Sequence, residues 1–315
     1  MKLWITAGGT GSAWEICKTA KQYFPEEIEL YVSDINDRDK VAAATLADHF
    51  FKVPAVRDKG YEAHIKKLLS EEKIDLIIPL IPWEQTIFAP DNEEWKVLGI
   101  NSAAPTMETA GHCNDKKKLY NLCRNLGIDT IRVYDKEEIH PEEHYFVKAI
   151  DGFGAMAAGV KDGESLLANG TRGLVVQEYC HGEEVTAEVY YDRKDTYFAV
   201  RERLETKNGV CTKARFPKDA VLEEKIADAL RKLTGALPFP NVFNLQWIRE
   251  GETWKLMDIN LRLASGTGTS RAAGFQLVRA MLAHALGKEI SPEWLRLAPE
   301  VKTVLRVYDE VVVRE

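Results

Sequence analysis

Short apolar segments alternate with helix-length segments through about the first hundred residues, and this alternation constrains the fold more than any other feature. The apolar segments have the length of strands and are Leu3–Thr6, Glu29–Ser33, Phe51–Val53 and Leu76–Leu80. Helical patterns lie between them: one that ends near Tyr23, then Lys40–Phe50 and Tyr61–Glu72. Strands joined by helices run parallel, with right-handed crossovers. The pattern therefore predicts an α/β domain with a parallel sheet.

A glycine-rich turn follows the first strand, with Gly8, Gly9 and Gly11, and the second strand ends at Asp34. Dinucleotide-binding folds place glycines and a ribose-binding acid at such positions, so a nicotinamide-dependent oxidoreductase is one hypothesis. The turn lacks the third glycine of the full fingerprint. We favour the simpler interpretation, in which the glycines only permit a tight strand-to-helix turn.

Polar residues alternate with apolar ones in two strand-like segments nearer the C-terminal end, Asn244–Trp247 and Met257–Arg262. Alternation places Asp258, Asn260 and Arg262 on one face of a strand. A hairpin would bring Gln246 beside them. Oxygen ligands next to a guanidinium suit Mg²⁺ that bridges a triphosphate. The alternative is the polar outer face of an ordinary surface hairpin.

These segments and their spacing resemble the ATP-grasp superfamily, and within it the single-module relatives of the carbamoyl-phosphate synthase large subunit. The resemblance runs from about residue 3 to about residue 290. It implies a degenerate, Rossmann-like pre-ATP-grasp domain over residues 1–110 that shapes the acceptor site. An ATP-grasp domain would follow over residues 111–315, with a β-rich lid at about 144–178 and a larger α+β subdomain.

The resemblance implies roles for the polar residues of the predicted hairpin. Gln246, Asp258 and Asn260 match the metal ligands of the family, for Mg²⁺ or alternatively Mn²⁺, and Arg262 matches the catalytic arginine. The family usually has Glu where this chain has Asp258. Because Asp is one methylene shorter but keeps the charge, we expect the substitution to be tolerated.

The resemblance also implies a set of nucleotide contacts. Lysines would reach the ATP phosphates, a glycine loop would approach them through backbone N–H groups, a hinge would hydrogen-bond adenine through its backbone at residues 178 and 179, and one carboxylate would bind ribose. In that order, the residues are Lys116 and Lys148; Gly152 and Gly154; Gln177, Glu178 and Tyr179; and Glu184. Each group has an ordinary alternative: a solvated lysine run, a simple hairpin, and an acidic edge formed by Glu183, Glu184 and Glu188.

Three residues are candidates for substrate binding. Glu84, in a segment that resembles the Pro-x-x-x-x-Glu segment of the family, would hold a substrate amine or else cap the following helix. Arg201 and Arg203 alternate on one predicted strand, where relatives carry basic residues that meet a substrate carboxylate or phosphate. Cross-strand pairing with Glu202, Glu205 or another acid of the sheet is the alternative.

Composition restricts the partners. The formal net charge is −7, so general nucleic-acid binding is not expected. No apolar run approaches the roughly 20 residues of a membrane-spanning helix. The beginning of the chain lacks a signal-peptide pattern, and the five cysteines are scattered, which favours reduced thiols in the cytoplasm.

The sequence thus predicts an ATP- and Mg²⁺-dependent carboxylate ligase that forms an acylphosphate. Its expected partners are a small-molecule carboxylate and an amine-type acceptor, and a homodimer is compatible with the resemblance. A catalytically weak ATP-binding sensor or regulatory protein is the main alternative, because of Asp258 and the unusual Pro82–Trp83. The identity of the acceptor is left open.

Overall fold

The N-terminal domain is built on a five-stranded parallel sheet, which confirms the predicted fold class. In the computed structural model, which describes residues 1–150, 158–207, 210–307 and 310–313, the strand order is 3-2-1-4-5. The strands are β1 (Lys2–Ile5), β2 (Glu29–Asp34), β3 (His49–Lys52), β4 (Leu76–Ile78) and β5 (Asn101–Ser102). The helices of this domain are α1 (Gly11–Tyr23), α2 (Tyr61–Glu71), α3 (Glu84–Ile87) and α4 (Glu93–Leu98).

The helix predicted over Lys40–Phe50 is wrong. The chain forms two short 3₁₀ turns there, Arg38–Lys40 and Ala42–Thr45, and β3 already begins at His49. The carboxylate of Asp48 accepts a hydrogen bond from the backbone of Leu30 at 2.8 Å, which anchors the segment beside β2. Pairing with the sheet therefore overrides the helix propensity of the alanine run.

A four-stranded antiparallel sheet occupies the region predicted to be the lid, and we call it the lid sheet. Two helices lead to it, α5 (Met107–Cys113) and α6 (Lys116–Asn125). Its elements are β6 (Val133–Tyr134), β7 (His144–Ala149), β8 (Gly159–Asp162), α7 (Gly163–Asn169) and β9 (Leu174–Glu178), and the strand order is β6-β9-β7-β8. The sheet thus begins before the predicted start of the lid, because β6 has only two residues and leaves no periodic signal.

A six-stranded antiparallel sheet forms the body of the second half, in the order 14-13-10-11-12-15. The strands are β10 (Glu184–Tyr191), β11 (Thr196–Lys207), β12 (Val210–Arg215), β13 (Val242–Glu250), β14 (Thr253–Asn260) and β15 (Thr303–Leu305); the helices are α8 (Ala220–Ala236), α9 (Thr267–Ala272) and α10 (Leu277–Ala285). Alternate apolar residues of β10 and β13, such as Val185, Ala187 and Leu245, pack with Ile226 and Leu230 of α8. The residues on the opposite face of the sheet point toward the N-terminal domain and toward β7: Tyr190 packs with the N-terminal core, and Asp258 lies near Lys148.

The sequence pattern over Lys302–Val313 predicts two closing strand segments at the C-terminal end. One of them is present as β15, which pairs with β12. Beyond Leu305, no strand occurs at residues 306–307 or 310–313.

No helix in the described ranges is both long and apolar enough to cross a membrane.

Candidate nucleotide and metal site

The hairpin of β13 and β14 brings the three predicted metal ligands together. Asp258 lies directly opposite Gln246, and Asn260 lies opposite Asn244. Direct partners in an antiparallel pair point to the same face, and residues two apart share that face. The opposite face carries fully buried apolar residues, including Leu245 and Ile259. The alternating pattern of the sequence therefore separates a polar face from the core.

Two lysines from different elements meet this face at Asp258. Lys116, in the first turn of α6, forms a salt bridge with the Asp258 carboxylate, and both side chains are 18% exposed. Burial alone would raise the pKa of Asp258, but the ammonium groups of Lys116 and Lys148 outweigh it and hold that pKa below its usual value. Lys148 comes from the lid strand β7. Burial lowers its pKa, and Asp258 opposes that effect.

We call this group the charged face: Lys116, Lys148, Gln246, Asp258 and Asn260. It joins α6, the lid and the hairpin, so its residues are far apart in sequence but adjacent in space. Two of its members are cations and one is an anion, which leaves a local positive excess on an acidic protein. Such an excess suits a polyanionic ligand.

Arg262 lies two residues beyond the end of β14; the residue is partly exposed, but its Nε atom is buried. Burial lowers the pKa of its guanidinium, while Asp258 opposes that effect. Its Nη1 donates a hydrogen bond to the Leu263 carbonyl at 3.2 Å. The position places a buried positive charge next to the charged face.

Two residues along β13 from Gln246 lies a small apolar cluster that the sequence reasoning did not identify, and we name it the apolar slot for the role proposed for it below. Ile131, Cys180 and Ile248 form a small buried cluster, with Met257 packed against it. Ile248 lies two residues from Gln246 on β13, so the alternation that revealed Gln246 also carried a signal for Ile248. A slot of this kind accepts a flat heterocycle.

The predicted hinge residue Gln177 belongs to the face of the lid sheet that also carries Lys148. Gln177 pairs with Phe146, and Lys148 pairs with Val175, so these four residues share one face. The lid core, which includes Tyr145, Val147 and Val176, occupies the other face. Gln177 is 2% exposed, and within the described residues its Oε1 has no hydrogen-bond partner. A buried acceptor without a partner is costly and fits a ligand that donates to it.

The remaining hinge residues already have protein partners. The Glu178 carboxylate accepts hydrogen bonds from Lys255 and from the Arg132 backbone. The ring of Tyr179 lies 4.1 Å from the ring of His181 between centroids. The backbone N–H of Glu178 also donates to the Arg132 carbonyl at 2.9 Å, so this half of the predicted adenine contact already has a protein partner.

Glu184 and Arg203, predicted as a ribose ligand and a substrate ligand, contact each other. Arg203 Nη1 donates to Glu184 Oε2 at 2.9 Å. This contact places Arg203 beside the predicted ribose position. It also shows one form of the alternative reading, in which an arginine of β11 pairs with an acid of the neighbouring strand β10.

Arg201 occupies a different environment. It is 3% exposed, and its Nε lies 3.5 Å from Oε2 of Glu188, which is fully buried. The alternative of a solvated acidic edge is therefore wrong for Glu188. The predicted partners Glu202 and Glu205 instead pair with Arg215 and Lys213.

Glu84 is placed where a substrate amine would not reach it. It is 2% exposed, and its carboxylate accepts hydrogen bonds from the hydroxyls of Thr6 and Tyr61. Burial raises its pKa, and the hydroxyl and backbone donors oppose that effect. Its oxygens also accept from the Ile81 backbone, just before the helix. Glu84 thus joins β1 to α2, a role that neither interpretation of the sequence included.

The glycine turn of the N-terminal domain is shaped by packing. A Cβ on Gly8 would lie 2.5 Å from Val32 Cγ1, so the close approach requires glycine. Asp34 accepts from the Gly9 backbone at 2.7 Å and from Asn36 at 2.9 Å. The acid of the nicotinamide hypothesis therefore closes its own turn. The other predicted glycines, Gly152 and Gly154, lie outside the described residues.

The residues present fit Mg²⁺ with a nucleotide. Gln246, Asp258 and Asn260 offer hard oxygen atoms, which Mg²⁺ prefers. They include one carboxylate, and no cluster of three His, Cys, Asp or Glu residues suited to a metal occurs in the described part of the chain. Phosphate oxygens and water would then complete the shell. The apolar slot and the unpaired Gln177 oxygen suit the base.

Two family models match separate parts of the chain. The PylC-like N-terminal domain matches residues 3–103, and a model described as ATP-grasp in the biosynthetic pathway with Ter operon matches residues 171–309. Together they span most of the sequence. No curated protein matches it.

Solved structures share the fold at low sequence identity. The biotin carboxylase domain of Hydrogenobacter thermophilus 2-oxoglutarate carboxylase, in complex with MgADP, ADP and bicarbonate, has a TM-score of 0.75 and 15% identity, over 94% of this chain and 72% of that chain. N5-carboxyaminoimidazole synthetase from Staphylococcus aureus, complexed with ADP, has a TM-score of 0.73 and 15% identity, over 92% and 78%. Campylobacter jejuni biotin carboxylase, complexed with β-γ-ATP, has a TM-score of 0.73 and 16% identity, over 94% and 73%.

Proposed function

Because the chain belongs to the ATP-grasp superfamily, we propose that it is an ATP- and Mg²⁺-dependent ligase. It activates a small-molecule carboxylate as an acylphosphate, which an amine or similar nucleophile then attacks. The observation that carries this proposal is the charged face, where Lys116 and Lys148 converge on Asp258 beside Gln246 and Asn260. Residues 1–110 form the N-terminal domain of the enzyme and residues 111–315 its ATP-grasp domain.

The residues of the charged face divide the work. Gln246, Asp258 and Asn260 would hold Mg²⁺, which supplies charge neutralisation at phosphoryl oxygens. Lys116 and Lys148 bind the phosphates as point charges, and Lys116 has to release Asp258 when a metal ion takes its place. The apolar slot and the hinge backbone orient the base, while Glu184 is the ribose ligand.

Arg262 meets the charge of the group in transfer. A buried guanidinium is fixed in place and poorly screened, so it stabilises charge that develops in the transition state. Phosphoryl transfer needs mainly such positioning and electrostatics. Burial raises the pKa of the Cys180 thiol to about 12, which disfavours the thiolate form at this position.

The finer assignment is a carbamoyl-phosphate-synthase-like ligase with an amine-type acceptor. The resemblance over Gln246, Asp258, Asn260 and Arg262 supports it. A weakly catalytic ATP-binding sensor is the second candidate, and the salt bridge between Lys116 and Asp258 favours it. That salt bridge joins a proposed phosphate ligand, Lys116, to a proposed metal ligand, Asp258. Binding of a nucleotide with Mg²⁺ would therefore break the salt bridge, which gives the protein a nucleotide-free state and a nucleotide-bound state.

An acceptor screen tests the ligase. Release of ADP from Mg-ATP is measured across libraries of carboxylates and amines, with bicarbonate among the carboxylates. We expect one combination to raise ADP release above the ATP-only rate, and Arg262→Ala to abolish that increase while it keeps most of the Mg-ATP affinity. If Mg-ATP binds and no combination raises ADP release, the sensor function replaces the ligase.

A further inference from the structure

A buried acid–arginine pair lies beside the charged face. Glu188 on β10 is fully buried and Arg201 on β11 is 3% exposed. Arg201 Nε lies 3.5 Å from Glu188 Oε2, close enough for an ion pair but without hydrogen-bond geometry. Buried charges are expensive unless they are paired and hydrogen-bonded. The two members of this pair meet that condition very differently.

Glu188 is fully engaged. Thr267 Oγ1 donates to one carboxylate oxygen and Ser270 Oγ to the other. Both hydroxyls belong to α9, which follows the loop that begins just after Arg262. The same Thr267 hydroxyl lies 2.7 Å from the Ala264 carbonyl and shares its one proton between the two acceptors, which ties the loop to the same point. Glu188 therefore fixes the loop and α9 against β10.

Arg201 is not fully engaged. Among the described residues, its buried Nε and Nη1 atoms have no hydrogen-bond partner. The backbone of Gly266 lies against the guanidinium, because a Cβ at that position would come within 2.4 Å of Arg201 Cζ. A buried donor without a partner costs free energy. An anion with oxygen acceptors would remove that cost.

The sheet register places Arg201 in line with the metal ligands. Arg201 pairs with Thr186, Thr186 with Gln246, and Gln246 with Asp258. Neighbouring strands are about 4.8 Å apart, so the backbones of Arg201 and Asp258 are roughly 14 Å apart on the same face. That separation places Arg201 beyond the metal ligands and beside the loop that follows Arg262.

We propose that Glu188 is a positioning residue that holds Arg201, the loop at residues 264–266 and the start of α9 in one arrangement, and that Arg201 thereby binds an anionic group of the acceptor-side substrate. The inference rests on the proposed ligase for the identity of that substrate. The anion is a carboxylate or phosphate that is distinct from the phosphate groups of ATP. Glu188 itself touches neither substrate.

The test asks whether the substitution Glu188→Gln raises or lowers the affinity of the protein for phosphate. Inorganic phosphate is titrated calorimetrically into protein saturated with Mg²⁺ and a β,γ-imido analogue of ATP, which occupies the position of the third phosphate. Glu188→Gln removes a negative charge next to the anion and keeps the size of the side chain. If Glu188 were only a nearby charge, phosphate affinity would rise. We expect it to fall at least tenfold, and Arg201→Gln to abolish it.

A second acid–arginine pair, which joins β11 to β12, provides the matched control. Arg215 forms a salt bridge with Glu202, which is adjacent to Arg201 in sequence and therefore on the opposite face of the strand. Glu202→Gln should leave phosphate affinity within twofold. Gly266→Ala, which crowds the guanidinium without a change in charge, should weaken phosphate binding as Glu188→Gln does. Circular dichroism establishes that each variant is folded at the temperature of the titration.

Three outcomes overturn the proposal: unchanged or tighter phosphate binding by Glu188→Gln, no phosphate binding by the wild type, or binding to the Mg-ADP complex but not to the analogue complex. The last would assign the anion to the third-phosphate position of ATP. All these measurements are independent of turnover. If phosphate binds as expected and the acceptor screen fails, the ligase is wrong and the anion site remains.

With an identified acceptor, Glu188→Gln should raise its KM about tenfold and leave the KM for Mg-ATP within twofold. Glu188→Asp should recover part of the loss. Equal effects on both KM values would mean that Glu188 only supports the fold.

Discussion

Two regions of this molecule have similar sequence patterns but differ in their hydrogen bonding. In one region the protein supplies partners for the buried polar groups, and in the other it leaves some of them without a partner among the described residues. The first is the carboxyl edge of the parallel sheet, with the Gly8–Gly11 turn, Asp34 and Glu84. The second is the charged face together with its slot and Arg201. Each combines acidic side chains with turns or loops of small residues. The sequence alone does not show which of the two regions binds a ligand.

At the carboxyl edge the protein supplies the partners. Asp34 is bound by Gly9 and Asn36, and Glu84 by Thr6 and Tyr61. At the second region it does not: the Oε1 of Gln177 and two nitrogens of Arg201 are buried without hydrogen-bond partners in the described chain. Because a buried polar group is normally paired, the comparison indicates structure at the first region and ligand binding at the second.

The largest effect is expected from a substitution at the proposed metal ligands of the second region. Asp258→Asn removes the one formal negative charge among Gln246, Asp258 and Asn260. We expect turnover to fall about 1000-fold, or about 4 kcal/mol of transition-state stabilisation. ADP release with the identified acceptor measures this loss, and calorimetry should show that Mg²⁺ no longer increases ATP affinity.

Asp258→Glu is the control for that substitution, because it keeps the charge and restores the residue usual in the family. It should retain or raise turnover. Wild-type turnover by Asp258→Asn would mean that this face does not hold the catalytic metal, and would favour the sensor.

The next effect compares the two regions directly. Mg-ADP should stabilise the protein by about 2.7 kcal/mol at roughly 100 times its dissociation constant. NAD at the same concentration should give no melting shift, because the acid that would bind its ribose, Asp34, already closes the glycine turn. A shift with NAD and none with Mg-ADP would reverse the roles of the two regions.

The sequence predicted what depends on local pattern. The parallel sheet and the β13–β14 hairpin follow from strand-length apolar segments and from period-2 alternation, and both are present. The glycine turn after β1 is also a local feature. Errors arose where a distant partner decides the structure, as for residues 40–50, where two short 3₁₀ turns lead into β3, which pairs with β2 from His49 on.

The site depends on contacts between distant segments. Glu188 is buried by hydroxyls that follow it by 79 and 82 residues, and Lys116 meets Asp258 across 142 residues. An acidic residue on an alternating strand looks the same whether water or α9 covers it. The sequence therefore left a solvated acidic edge as an alternative for Glu188, and only the three-dimensional surroundings show that Glu188 is buried and anchors α9.

The smallest effect is expected from the loss of one proposed phosphate ligand in the second region, Lys148. Lys148→Ala should weaken ATP binding about tenfold, or about 1.4 kcal/mol, because a partly desolvated ammonium beside the charged face is lost. Lys118→Ala is the matched control: Lys118 is exposed on α6, two residues from Lys116, and its loss should leave affinity unchanged. Calorimetric titration of both variants decides between them. Since burial lowers the pKa of Lys148 while Asp258 opposes that effect, bound phosphates would further favour its charged form. Equal affinities for the two variants would show that Lys148 does not contact the phosphates and that the lid has another function.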